Sequence, residues 1–199
     1  HCTNLKRIRY FILMRSPDMF IVKPVGGRRY DNIKTIGEKE LITSTSQEDH
    51  RVSNRYAEVI ERPIGYSGPI KVGDQLIVHH NVFKYYYDVK GRQKSGRSYF
   101  RDDLFFVEEL QMYMYGSDGD WKAIEPYCFV EPLVVPDPIF GDPMHEPQFG
   151  VLRYGNKSLS KMGVNAGATV AYTPESEYEF PIDGSILYRM RTSDITLYE

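Results

Sequence analysis

Phe20-Ile21-Val22-Lys23-Pro24-Val25 and Cys128-Phe129-Val130-Glu131-Pro132-Leu133 decide how this chain is read. Each is a short apolar run that stops at a proline. Proline has no N–H to give a ladder, so it belongs at a strand edge or end. Further matches follow in the same order. A polar, loop-like stretch comes after each run, 26–53 in the first half and 134–148 in the second. Arg55-Tyr56-Ala57-Glu58-Val59-Ile60 then parallels Phe149-Gly150-Val151-Leu152-Arg153-Tyr154. Val72-Gly73-Asp74-Gln75-Leu76-Ile77-Val78 parallels Ala166-Gly167-Ala168-Thr169-Val170-Ala171-Tyr172, each a glycine turn feeding an alternating strand. Leu104-Phe105-Phe106-Val107 parallels Ile186-Leu187-Tyr188-Arg189. Ordered recurrence of this kind marks an internal repeat.

Working outward, the rest of the chain agrees with an all-β fold. Short apolar runs sit between Gly, Pro, Asn and Asp clusters, the pattern of a barrel or sandwich. Aromatics reach 14%, with 16 Tyr and 10 Phe, and rings suit a pleated, half-buried surface. Residues 104–115 are the only helix-like stretch; their alternation favours strands with a kink at Glu108-Glu109. The boundary is expected at Gly116-Ser117-Asp118-Gly119-Asp120, a small, polar, turn-rich segment. The expected organisation is a leader over 1–18, upstream or disordered, with Met14 or Met19 as the natural start. A first unit spans 19–116, a linker 117–120, and a second unit 121–199.

Composition excludes several classes. The net charge of −2 argues against a dedicated nucleic-acid binder. With only Cys2 and Cys128, no disulfide framework is implied and a reducing compartment fits. The apolar run Tyr10 to Met14 is far shorter than the ~20 residues of a spanning helix. It also lacks the core and cleavage site of a signal peptide. No Gly-x-Ser-x-Gly, P-loop or Gly-x-Gly-x-x-Gly occurs. His79-His80, with His50 and His145, does not make a metal site: neighbours on a strand face opposite ways, and no Cys/His/carboxylate spacing supports an ion. Neither a metal nor a cofactor is expected. Cys128, in an apolar strand, reads as an inert core thiol.

The landmarks together resemble the GroES-type co-chaperonin family. The first copy carries the resemblance in Met19-Phe20-Ile21-Val22-Lys23-Pro24 and Ile70-Lys71-Val72-Gly73-Asp74-Gln75-Leu76-Ile77-Val78. The second carries it in Gly150-Val151-Leu152-Arg153-Tyr154-Gly155-Asn156 and in the ending Ser185-Ile186-Leu187-Tyr188-Arg189-Met190-Arg191-Thr192-Ser193-Asp194-Ile195. The order and spacing of these pieces carry the likeness over most of residues 19–199. Ala166-Gly167-Ala168 departs from the family's Gly-Asp, and Lys84 to Arg97 is an insertion where the family has a brief turn. The resemblance implies two tandem GroES-like small β-barrels.

It also implies a function without covalent chemistry. A co-chaperonin caps a GroEL-type chaperonin ring by docking mobile loops into apolar grooves, and so assists ATP-dependent folding in the cytoplasm. In the first loop Leu41 and Ile42, followed by Thr43, resemble the family's apolar anchor; in the second, Ile139 and Phe140 fill that role. Burying a Leu, Ile or Phe contributes roughly 1.5–3 kcal/mol, against ordering costs of ~1–2 kcal/mol per fixed residue. One loop alone binds weakly, so the reading needs several loops on a self-associated ring. Two alternatives stand beside it. One is a viral or structural interaction protein that keeps the barrels and ignores chaperonins. The other is a single-stranded nucleic-acid binder using Tyr85, Tyr86, Tyr87, Lys90, Arg92 and Lys94, whose rings could stack on bases. The plainer reading of that stretch is a β-hairpin with lysines guarding its edge. An enzyme is disfavoured, because the same barrel in alcohol dehydrogenases comes with a Rossmann domain and zinc ligands that this chain lacks.

Overall fold

The computed structural model describes residues 15–30, 53–117, 119–136 and 143–199, together with the backbone of 33–36 and 39–42. The chain divides into two compact units, one ending at Tyr115 and the other beginning at Gly116. Both are built from strands.

In the first unit, β1 (Phe20–Pro24) lies between β4 (Tyr56–Glu61) and β9 (Leu104–Val107), antiparallel to both. β5 (Gln75–Val78) pairs with β4, β10 (Met112–Ser117) lies beyond β5, and β8 (Tyr99–Arg101) lies beyond β9. The order is therefore β10-β5-β4-β1-β9-β8. Two small hairpins are added, β2 (Ile33–Ile36) with β3 (Lys39–Ile42), and β6 (Tyr85–Tyr87) with β7 (Gln93–Ser95).

The second unit begins at β11 (Asp120–Ala123) and contains β12 (Tyr127–Pro136), β13 (Pro143–Tyr154), β14 (Thr169–Tyr172), β15 (Tyr178–Ile182), β16 (Ser185–Arg191) and β17 (Ile195–Tyr198). Its sheet runs β17-β14-β13-β12-β16-β15. Strand for strand, this is the order of the first unit. No sheet closes into a barrel among the described residues; each is an open, twisted antiparallel sheet.

The correspondence reaches individual hydrogen bonds. Val22 pairs with Val59 and Phe105, as Val130 pairs with Leu152 and Tyr188. A bulge falls between Ile21 and Val22 in one unit and between Phe129 and Val130 in the other. Gly73 donates to Val59 O at 2.8 Å, and Gly167 donates to Leu152 O at 2.8 Å. Both glycines sit at positive φ, 90° and 93°, where a side chain would be strained. A 3-10 turn, Glu109–Gln111 or Thr192–Asp194, joins the ninth strand to the tenth and the sixteenth to the seventeenth. It produces the kink expected at Glu108-Glu109. His79 N donates to Gln111 O in one unit, and Thr173 N to Asp194 O in the other.

This pairing corrects two of the sequence alignments by one residue. Tyr56–Glu61, not 55–60, matches Phe149–Tyr154, and Leu104–Val107 matches 187–190, not 186–189. A slip of one residue swaps the two faces of a strand.

The cores follow the register. Phe20, Val22, Val59, Leu76, Val78, Phe105 and Val107 are buried in the first unit. Cys128, Val130, Leu152, Val170, Tyr172 and Met190 are buried together in the second, with Leu159 and Val164. Leu159 comes from a short helix, Lys157–Lys161, which the sequence reading did not anticipate. Its cap is Asn156, whose side chain accepts the Leu159 N–H at 3.0 Å and donates to Tyr127 O at 2.9 Å.

Gly150 stands opposite Pro132 where two strands approach closely. A Cβ there would fall against Val130 Cγ1 and the Glu131 carbonyl oxygen, whereas the first unit has room for Ala57 at the matching position. Gly150→Ala is expected to destabilise the second unit by about 1–3 kcal/mol in urea denaturation, because backbone lies in the way.

Candidate functional site

The residues on either side of segment 31–52 form a fixed neck. β1 ends at Pro24, and a tight turn follows with Gly26 and Gly27 at φ of 73° and 67°. Tyr30 then forms an antiparallel bridge with Ser53, and Asn54 N donates to Arg29 O at 3.0 Å. Asn54 is buried and holds both sides. Its Nδ2 donates to Val25 O at 2.9 Å and Arg28 O at 2.7 Å, while Oδ1 accepts the Tyr56 N–H at 2.9 Å.

The neck is tied to the tyrosine-rich hairpin. Tyr85 pairs with Ser95, Tyr86 with Lys94 and Tyr87 with Gln93. The turn closes on Asp88, whose Oδ1 accepts the N–H groups of Lys90 and Arg92, each at 2.9 Å. The Arg29 guanidinium lies 4.0 Å from the Tyr85 ring centroid, 5.0 Å from Tyr99 and 4.5 Å from Phe105, and donates to Ser95 Oγ at 3.2 Å. Tyr30 stacks on Tyr85 at 5.7 Å, and its hydroxyl accepts the Tyr85 N–H at 2.8 Å. Burial pushes the Tyr30 phenol above its ordinary value, against the opposing pull of that N–H. Tyr86 and Tyr87 project into solvent with Lys90, Arg92 and Lys94.

In the second unit β12 and β13 run on as a long two-stranded arm, pairing Val134 with His145 and Pro136 with Pro143. Residues 137–142 connect them. The anchor candidates of the sequence reading fall as follows. Leu41 and Ile42 are on β3, paired with Lys34 and Ile33, so part of the expected loop is a β-hairpin. Thr43, Ile139 and Phe140 lie outside the described residues.

The histidine argument needs correction. His79 and His80 lie past the end of β5, so strand alternation does not separate them, and their rings stack at 4.1 Å. No group of three His, Cys, Asp or Glu side chains suited to a metal occurs among the described residues. Burial, with Asp194 and Glu125 adding to it, pushes the Cys128 thiol up to about 12. Among the described residues no helix is long and apolar enough to cross a membrane. No protein-family model and no curated protein matches the chain.

Asn54→Ala is expected to lower stability by about 2–4 kcal/mol in urea denaturation, since it strips the partners from buried backbone groups. Tyr30→Phe should speed hydrogen exchange at the Tyr85 amide while leaving Tyr56 unchanged. In a Cys2→Ser background, Cys128 should resist iodoacetamide at about pH 8 until the chain is unfolded, because only the thiolate reacts.

Proposed function

We propose that this chain is a co-chaperonin, two tandem GroES-like barrels whose loops dock on a chaperonin ring. One observation carries this reading. In each unit the chain departs from the sheet at the same point, between the central strand and its antiparallel neighbour. Residues 31–52 depart between β1 and β4, and 137–142 between β12 and β13. That is where the resemblance puts a mobile docking loop, and both segments contain an apolar pair, Leu41-Ile42 and Ile139-Phe140. In this reading the protein works in the cytoplasm, self-associates into a ring, and uses no cofactor and no covalent step.

A second reading is favoured by the solvent-facing Tyr86 and Tyr87 beside Lys90, Arg92 and Lys94: a grip on single-stranded nucleic acid. Loss of a salt-dependent oligonucleotide shift in a Lys90/Arg92/Lys94 alanine variant would establish it.

The co-chaperonin reading is tested by capture on a GroEL-type ring with and without ATP. Nucleotide-dependent capture is expected from the native chain, and none from Leu41→Asp with Ile139→Asp, whose far-ultraviolet circular dichroism should be unchanged. Capture that survives the double substitution rejects these anchors. An oligomer that binds no chaperonin leaves the structural-protein reading in its place.

A further inference from the structure

The second unit holds a cleft of about 390 Å³ lined by His145, Glu146, Gln148, Tyr172, Glu175, Glu177 and Tyr188, with Pro147 and Pro174 at its sides. Three carboxylates and three aromatic rings face it, and no lysine or arginine lines it. The Tyr188 hydroxyl and His145 Nδ1 are 3.2 Å apart, and the Tyr172 and Tyr188 rings meet edge to face at 6.3 Å. Tyr172 is 4% exposed and lines the cleft. Burial, with Glu177 adding to it, pushes this phenol up to about 12, so it stays neutral.

The repeat indicates what belongs there. By strand pairing, Tyr172 occupies the position of Val78, and Tyr188 that of Phe105. The second unit thus places hydroxyls where the first is apolar. In the first unit the ring at this position, Phe105, already has a guanidinium 4.5 Å from its centroid, that of Arg29. Tyr85, from the β6–β7 hairpin, flanks the same guanidinium. In the second unit five residues, 173–177, replace the whole stretch from 79 to 98, and the cleft remains open.

We propose that this cleft binds a guanidinium group supplied from outside the chain, the end of an arginine side chain on a partner polypeptide. Carboxylates can take its N–H groups as paired hydrogen bonds while the tyrosine rings receive its flat face. The absence of a three-ligand metal cluster among the described residues sets the class as an organic cation rather than a metal ion. Gln148 and Glu175, both on the cleft wall, have positive φ of 63° and 62°, the kind of local strain that persists at binding sites. This inference does not depend on chaperonin binding.

The test is an NMR titration of the full chain with Nα-acetyl-arginine-N-methylamide, its citrulline counterpart and a serine-glycine peptide with one central arginine. Saturable shifts of the Tyr172 and Tyr188 ring signals are expected with both arginine compounds, with affinity in the millimolar range. Citrulline, which keeps the shape and loses the charge, should give none. Glu175→Gln with Glu177→Gln should weaken binding by about tenfold with the fold retained. A tighter response to the peptide supports a polypeptide source, and an equal response a free guanidinium compound. No saturable shift, equal binding of citrulline, or undiminished affinity in the double variant would overturn the assignment.

Discussion

Each half of this protein hangs on one strand that is paired on both sides and carries a register shift at the same place; β12 has a second one between Pro132 and Val134. β1 and β12 are the only strands that begin their unit's main sheet and also sit near its centre. Every ladder on one side counts its register from the bulge at Ile21/Val22 or Phe129/Val130. The bulge puts Val22 opposite Val59, and Val130 opposite Leu152, with all four inside. Without the extra residue the neighbouring strand would present its polar face to the core. In the first unit the strand ends at Pro24, whereas in the second β12 runs on past Pro132 and stays paired with β13 as far as Pro136.

The parts legible in the sequence are those written as order. The proline stop of the first strand, the two glycine turns and the kink at Glu108-Glu109 can be read from spacing, because each has a local cause: a missing N–H, a positive φ, a 3-10 corner. Pro132 is no such stop, since β12 continues to Pro136. Register was less legible. The matches of 55–60 and of 186–189 are each one residue out, since a run of apolar residues does not by itself fix the pairing register. The helix at Lys157–Lys161 was missed because it is a single turn, but Asn156 before it and Gly163 after it were available signals. Alternation does not separate His79 from His80, because the strand ends at Val78, just before them. The tyrosine hairpin was legible; that Arg29 would hold it was not, because the contact spans a sequence distance no local pattern encodes. The same holds for the second-unit cleft, whose walls come from three separate strands and a turn.

The two units differ mainly in what fills a shared frame. In the first, Arg29 lies among Tyr85 of the inserted hairpin, Tyr99 and Phe105. In the second, shorter connections leave rings and carboxylates facing solvent. A repeat that keeps its hydrogen bonds while its connections diverge can hold two different surfaces on one scaffold, since the ladders fix the backbone independently of the loops.

The neck at Tyr30 and Ser53 has a consequence for how such a scaffold can change. Both ends of segment 31–52 are pinned side by side by a bridge and by Asn54, so this connection is closed at its base. Doubling the length of such a closed segment adds only about 0.6 kcal/mol of closure entropy. A connection whose two ends are already held together can change in length at small cost to the strands that flank it.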